Sequence, residues 1–260
     1  MGKIDRYLRI TATAVIVAFA APALADEPLK LSFNSKWPPY SEGQGDTSKG
    51  LLPALMTEII EHRMGVPVRH YGSPWNRAQK LVENGQLDGF VTVATPKRLA
   101  YTLSSETVVY TFEIKPVVKK GGKAVGALAA GPTVDTLRKL RVCHDLGNGW
   151  GKRFTEKNDL KFVTASDLTA CLRMIDKGRM DISLQAVAAA SKVIRDMKLD
   201  DSLDIIDPAY GSMKFTLMLG NKSKFGADFL KRFDETVRAM KDDGSYIELI
   251  ERLRGFKGDK

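Results

Sequence analysis

The sequence predicts an α/β protein built from two lobes, and three features of the chain indicate this fold class. Strand-like and helix-like segments alternate over residues 29–98. A β-rich run then leads into glycines and small residues over 108–131, as expected where the chain crosses between lobes. The alternation starts again over 134–197, and a late strand over 213–220 can return to the first lobe.

Glycines separate the predicted elements of the first lobe. Gly65 and Gly85 each follow an apolar helical pattern and supply the left-handed residue that ends a helix. Pro96 begins a further helix. Proline lacks an N–H, and in the first turn of a helix that group would have no acceptor within the helix. The other elements are a strand at 29–33, a helix at 51–64, a strand at 66–71, a helix at 74–83 and a strand at 87–93.

The second lobe and the chain end follow the same pattern. A Gly-rich turn precedes a helix at 152–157, and Gly178 stops another helix. Two amphipathic helices at 225–240 and 246–253 close the chain. The remaining elements are a helix at 134–139, a strand at 140–144, a strand around Phe162, a helix at 166–175, a strand at 180–184 and a helix at 187–197.

The first 25 residues have the pattern of a signal peptide rather than of a folded element. Lys3, Arg6 and Arg9 precede an apolar stretch at 10–21 that is short for a membrane span, and a small-residue cleavage site ends at Ala25. The mature chain would begin at Asp26 and be exported to the periplasm. A retained membrane anchor is the alternative.

Composition limits the function classes. The 260-residue chain carries a formal charge of +9, but its basic residues alternate with acids, as in 152–159, where Lys152 and Arg153 are interpreted as part of a solvated surface. Without a basic stripe, nucleic-acid binding is not expected. Two cysteines and three scattered histidines favour neither a metal site nor a cofactor.

Cys143 and Cys171 are the only cysteines of the chain. Cys143 falls in a predicted strand and Cys171 in a predicted helix, so a disulfide would join a helix to a neighbouring strand. An oxidising compartment favours this bridge, and two buried free thiols are the alternative.

Residues 94–98 restart the chain as a helix directly after a strand. Backbone donors at that start, together with Arg98, suit a carboxylate. The alternative is an exposed helix arginine with no ligand.

The order and spacing of several motifs resemble the periplasmic solute-binding proteins of amino-acid ABC transporters, the bacterial extracellular solute-binding protein family 3 type. The resemblance covers essentially the whole mature chain. The matching pieces are Trp37-Pro-Pro-Tyr40, Gly50, Met64-Gly65, Trp75, Gly85-Gln-Leu-Asp88, Thr95-Pro-Lys-Arg98, Leu137-Arg-Lys-Leu-Arg-Val142, Lys177-Gly-Arg-Met-Asp181 and Met240-Lys-Asp-Asp-Gly-Ser-Tyr.

This resemblance implies a type II periplasmic binding protein fold, in which each lobe is a mixed sheet flanked by helices and two hinge strands join the lobes. Lobe 1 would comprise 26–113 and 213–260, and lobe 2 would comprise 114–212. A monomer would close around a small solute that bears a carboxylate and deliver it to an ABC transporter permease. No cofactor and no catalytic residue are implied, so the protein is expected not to be an enzyme.

The resemblance also implies a ligand site. Arg98 would pair bidentately with the ligand carboxylate, while Trp37 and Tyr40 would form an aromatic wall, with core packing as their alternative. A plain helix start is the alternative for the turn in lobe 2, where Trp150 is a candidate lid. The other candidate contacts are Thr92, Thr95, Gly147, Asn148, Gly149, Trp150 and Gln185.

One departure from the family pattern bears on the ligand. Amino-acid binders of this family carry an acidic residue where this chain has Ala186, and that acid holds the α-ammonium of the solute. Because a buried ammonium without an acceptor is costly, either Asp145 substitutes or the ligand has no α-ammonium. Asp181 is interpreted as a structural residue.

Two other functions stay open from the sequence. Some proteins of this fold are dehydratases, for which Asp145, His144 and Glu106 are the candidate acids and bases. The second open function is that of a sensory module, which presents its closed form to a receptor.

Overall fold

The computed structural model of the protein describes residues 27–146 and 148–255. The predicted signal peptide at 1–25 and the candidate residue Gly147 lie outside the described residues. The strands are β1 (Leu29–Asn34), β2 (Lys36–Trp37), β3 (Ser41–Glu42), β4 (Val68–Ser73), β5 (Gly89–Thr92), β6 (Thr102–Ser104), β7 (Tyr110–Lys119), β8 (Val142–Asp145), β9 (Phe162–Ala165), β10 (Ile182–Ala186), β11 (Leu203–Ile205) and β12 (Gly211–Gly220).

Helices lie between most of these strands. None of the described helices is long and apolar enough to span a membrane. The helices are α1 (Leu51–Met56), which continues as a π-helical segment (Thr57–Arg63), α2 (Trp75–Glu83), α3 (Pro96–Leu99), α4 (Lys123–Ala130), α5 (Val134–Arg138), α6 (Gly149–Lys157), α7 (Leu168–Asp176), α8 (Val187–Asp196), α9 (Ala227–Asp242) and α10 (Ser245–Gly255).

The main sheet has two parts that meet at two long strands. β4, β1 and β5 run parallel in the first half, and β9, β8 and β10 run parallel in the second half. β7 and β12 pair antiparallel between them, from Tyr110 opposite Phe215 to Ile114 opposite Gly211. Beyond this pairing β12 continues beside β5, and β7 continues beside β10. The predicted α/β fold with two connecting strands is thus confirmed.

One face of α9 belongs to the core of the first half. Buried Phe229, Phe233, Val237 and Met240 recur along α9 with the spacing of one helix face. They belong to the same buried cluster as Ile59 of the π-helical segment. The predicted amphipathic pattern of the chain end therefore corresponds to a real core face.

Each half uses the same Gly-x-x-Asp pattern to lead from a helix into a strand. Gly85 and Gly178 follow the last turns of α2 and α7 with φ of 77° and 67°, which glycine adopts without strain. Three residues later, the carboxylates of Asp88 and Asp181 each accept a backbone N–H at 2.8 Å from the neighbouring strand region of their own half. Asp181 is structural, as predicted.

A disulfide joins Cys143 of β8 to Cys171 of α7, with their Cα atoms 5.9 Å apart. Both residues are fully buried. The predicted helix-to-strand bridge is confirmed, and the alternative of two free thiols is wrong.

The predicted crossing segment differs from the structure. Residues 108–131 were expected to cross between lobes, but β7 alone makes the crossing and the small residues that follow form α4. Alanine is the best helix former, so the run Ala124, Ala127, Ala129 and Ala130 favours a helix after the N-cap residue Gly122. The short strands β6 and β11 were not predicted.

Candidate functional site

Arg98 lies on α3, which begins at Pro96 directly after β5. Its Nε donates to Oε1 of Gln79 at 3.0 Å, and its Nη1 donates to the carbonyl oxygen of Val93 at 2.9 Å. The guanidinium carbon lies 5.3 Å from the ring centroid of Trp75. A guanidinium has five N–H groups, of which two are used here, so three have no acceptor among the described residues.

The Arg98 guanidinium is partly buried. Burial lowers its pKa, Tyr101 opposes the shift, and the positive charge of Arg153 lowers the pKa further. Arg153 belongs to α6, so the two arginines come from opposite halves and lie within electrostatic range of each other. The guanidinium stays charged at neutral pH.

Two predicted threonines lie on the strand and turn that support Arg98. Thr92 is buried at the end of β5, opposite Thr216 of β12. Thr95 precedes α3, and its carbonyl oxygen accepts the N–H groups of Arg98 and Leu99 at 2.9 Å each. Their backbones thus fix the position of α3 relative to the sheet.

Asn148 holds the start of α6. Its Oδ1 accepts the N–H of Gly151 at 2.7 Å, and its Nδ2 donates to the carbonyl oxygen of Leu184 at 3.2 Å. The side chain therefore caps the helix and ties it to β10. Gly149 and Trp150 occupy the first two helical positions, whose N–H groups have no acceptor within a helix.

Trp150 packs against the first residue of the connecting strand β12. Its ring stacks on Phe154 with centroids 4.9 Å apart, and Phe154 contacts Tyr210 edge-on at 6.1 Å. A Cβ on Gly211, the first residue of β12, would lie 2.7 Å from Cζ2 of Trp150. The indole is thus in close contact with a strand that connects the halves.

Trp37 and Tyr40 belong to an aromatic cluster on the connecting strands. Trp37 lies 5.0 Å from Phe112 and 5.7 Å from Phe215, between ring centroids, and is partly exposed. Tyr40 is only 3 % exposed and lies 4.5 Å from Phe112. Of the two predicted aromatic wall residues, Trp37 is partly exposed and Tyr40 packs in the core.

The Tyr40 hydroxyl lies at the start of α8. Burial raises its pKa, Tyr110 adds to the shift, and the backbone N–H groups of Ala188 and Ala189 oppose it. Ala186 precedes this helix and contributes no side-chain cap. A tyrosine from the first half thus lies beside the first turn of α8.

Asp145 and Gln185 form a buried pair at the ends of β8 and β10. Gln185 Nε2 donates to Oδ1 of Asp145 at 2.8 Å and also lies 2.8 Å from Oγ of Ser183. Burial raises the pKa of Asp145, and the hydrogen bond from Gln185 opposes this shift. The predicted contact residue Gln185 is therefore a partner of Asp145.

The other candidate acids and bases lie elsewhere. His144 is 2 % exposed and packs against Phe162, with ring centroids 5.4 Å apart. Glu106 is exposed and pairs with Arg238 at 3.4 Å. Among the described residues, no group of three or more His, Cys, Asp or Glu side chains is placed to hold a metal ion.

Two surface cavities lie away from Arg98. One of about 300 Å³ is lined by the loop at 42–49 and His70, and one of about 340 Å³ lies beside α7. Each is lined by one half only, so neither can be closed by movement of the halves. Neither cavity is lined by Arg98 or by a residue of α6, the two parts of the candidate site predicted from the sequence.

Sequence reasoning missed two contributors to this site. Gln79 and Val93 orient Arg98, and no local pattern in the sequence indicates these contacts. Arg153 is exposed, as its assignment to a solvated surface predicts.

The sheet in two parts and the paired connecting strands define a type II periplasmic binding protein fold. The family is given by the sequence itself: residues 29–255 match the bacterial extracellular solute-binding proteins, family 3, and the chain belongs to this family. No curated protein sequence matches the chain.

Solved structures share this fold at low sequence identity. A histidine kinase sensor domain with similarity to periplasmic binding proteins has a TM-score of 0.68 at 16 % identity, covering 89 % of this chain and 97 % of its own. A mutant of ArgBP from T. maritima has a TM-score of 0.66 at 19 % identity, covering 86 % and 94 %. The arginine-, lysine-, histidine-binding protein ArtJ from Geobacillus stearothermophilus has a TM-score of 0.67 at 14 % identity, covering 88 % and 96 %.

Proposed function

We propose that this protein binds a small solute bearing a carboxylate, an amino acid or a related acid, between two lobes that close around it. Lobe 1 comprises 26–113 and 213–260, and lobe 2 comprises 114–212. Both proposed boundaries fall within the paired stretch of β7 and β12, so rotation of one lobe changes only a few backbone angles there. Binding requires no chemical change in the solute.

The orientation of Arg98 is the observation that carries this proposal. Gln79 accepts from Nε and Val93 accepts from Nη1, so the guanidinium is fixed in orientation and its unused N–H groups are available for a carboxylate. Such a planar fork with fixed donors suits bidentate binding of a carboxylate. The relatives named arginine- or histidine-binding support an amino acid or similar solute, since those ligands also carry a carboxylate.

Delivery to an ABC transporter permease is the cellular role we propose. The chain would be exported, cleaved after Ala25 and act in the periplasm as a monomer, in keeping with the family description as extracellular. The closed form of the two lobes would differ in shape from the open form, and a permease recognises that difference.

A sensory role is the second candidate, because one structural relative is a histidine kinase sensor domain. Both roles need the same solute-driven closure. Co-purification of the solute-loaded protein with a membrane permease supports delivery, whereas co-purification with a receptor kinase supports sensing.

A thermal-shift panel of amino acids, dicarboxylates, monocarboxylates and polyamines tests the binding function. A ligand at 100 times its dissociation constant stabilises the folded state by about 2.7 kcal/mol. We expect stabilisation by carboxylates and none by polyamines. Stabilisation by polyamines alone, or by no member of the panel, would contradict the proposal.

A further inference from the structure

Arg98 is held by neutral groups only. Its Nε donates to the amide oxygen of Gln79 at 3.0 Å, and its Nη1 donates to the carbonyl oxygen of Val93 at 2.9 Å. The ring centroid of Trp75 lies 5.3 Å from the guanidinium carbon. No carboxylate of the described residues forms an ion pair with this partly buried side chain. Its charge is therefore oriented but not neutralised.

Helix α2 supplies two of these neutral groups. Trp75 and Gln79 lie one turn apart, so their side chains share a face of the helix. A guanidinium has only donors, so the amide of Gln79 must present its oxygen to Arg98. The amide nitrogen donates to the backbone carbonyl oxygen of Trp75 at 3.4 Å. Because the indole also packs edge-on against buried Phe90, at 5.8 Å between centroids, α2 fixes the position of both groups.

The charge of the group at position 79 decides whether Arg98 stays free for an anion. Glu83 lies one turn after Gln79 and is the only acid of α2. It pairs with Lys80 at 2.6 Å and not with Arg98. An acid at position 79 would instead form an ion pair with Arg98 and compete with an anionic solute. The neutral amide provides the orientation without this competition.

The hydrogen bond from Nε also limits how a solute approaches Arg98. Nε and Nη2 share one edge of a guanidinium, and Nη1 and Nη2 share its end. Gln79 occupies the Nε position of the first edge. Nη2 has no acceptor among the described residues, so the donors left for a carboxylate are those of Nη2 and the remaining N–H of Nη1. The solute therefore meets the end of the guanidinium.

We infer that Gln79 is a specificity-determining residue of the candidate site. Its neutral amide positions Arg98 so that the guanidinium charge is left for a solute carboxylate, and a solute with an uncharged group at that place binds more weakly. This inference rests on the proposed binding function and names the residue that makes it selective for acids. Gln79 acts through Arg98, so it is a positioning residue and has no need to touch the solute.

Titration calorimetry of the purified protein with pairs of compounds tests the inference. Each pair contains a common amino acid or a straight-chain aliphatic acid, together with the compound in which its C1 carboxylate is a primary amide. The wild-type protein should bind the best acid at least about 10-fold more tightly than its amide, because only the acid supplies a charged acceptor for Arg98.

The variant Gln79→Glu keeps an acceptor oxygen beside Nε but neutralises Arg98. It should weaken binding of the acid by about 10- to 100-fold, change the affinity for the amide by less than about 3-fold, and not lower the melting temperature of the free protein. Gln79→Met has a similar length but no acceptor oxygen, so it should weaken acid binding by only about 3- to 10-fold. Gln86→Glu is the matched control, since it adds the same charge at an exposed position just after α2.

The order of the variants separates the inference from a purely structural role. A structural role predicts that Gln79→Glu binds the acid as well as Gln79→Met or better, because glutamate keeps the hydrogen bond to Arg98. If that order is found, or if Gln79→Glu changes the acid affinity no more than Gln86→Glu does, the inference is overturned and the binding function stands. If the wild-type protein binds no acid of the set, or binds each acid no more tightly than its amide, both proposals are overturned.

Discussion

His144 is a buried histidine with no hydrogen-bond partner for either ring nitrogen among the described residues. Burial lowers the pKa of His144 to about 4. In the unfolded chain its pKa is about 6.5, so the unfolded state takes up a proton first as the pH falls. Stability linked to this residue is therefore present above about pH 6.5 and is lost between about pH 6.5 and 4.

We expect the free energy of unfolding to fall by about 1–2 kcal/mol between pH 7 and pH 5 because of His144. The variant His144→Leu should reduce this pH dependence. Urea unfolding at both pH values measures the difference. An unchanged pH dependence in His144→Leu would show that the ring is not held neutral by burial.

At the scale of single elements, α6 illustrates both what the sequence predicts and what it leaves open. The helix was predicted from residue 152, yet it begins at Gly149 because the Asn148 side chain caps it. Glycines have low helix propensity, so the sequence of residues 149–151 predicts a turn rather than a helix. A tertiary contact favours the helical conformation of these residues, since Gly151 packs directly on His144.

Gly151 is therefore a packing glycine within a helix. A Cβ at this position would lie 2.6 Å from Nδ1 of His144. Gly151→Ala should destabilise the protein by about 1–3 kcal/mol, in spite of the better helix propensity of alanine.

Gly126 of α4 provides the matched control, because no atom lies within 4 Å of a Cβ added there. Gly126→Ala should stabilise the protein by about 0.5–1 kcal/mol. Thermal unfolding of both variants tests the pair. Equal effects at the two positions would mean that contact with His144 does not constrain Gly151.

Across the whole molecule, the alternation of strands and helices was predictable because each element carries its own hydrophobic period and its own glycine stop. The contacts between the halves were not predictable from the sequence. The burial of Tyr40 depends on how the two parts of the main sheet are set against each other. Local sequence contains no signal for that orientation, whereas Arg98 itself was predicted from a strand followed by a Pro-led helix.

The disulfide gives a test of the second half as a folded unit. Cys143 and Cys171 are separated by 28 residues, and closing a loop of this length contributes about 3–4 kcal/mol through the unfolded state. Reduction, verified by thiol titration, should lower the free energy of unfolding by that amount. A fully reduced protein with unchanged stability would contradict this estimate of its role.

The central claim is that Arg98 anchors a carboxylate-bearing solute between the halves. The most direct measurement is titration calorimetry of the best carboxylate from the solute panel against Arg98→Gln, with Lys97→Gln as the exposed neighbouring control. The free-state melting temperature of each variant separates lost binding from lost folding. We predict that Arg98→Gln weakens binding by about 100-fold while Lys97→Gln leaves it unchanged. Wild-type affinity in a folded Arg98→Gln variant would contradict the account.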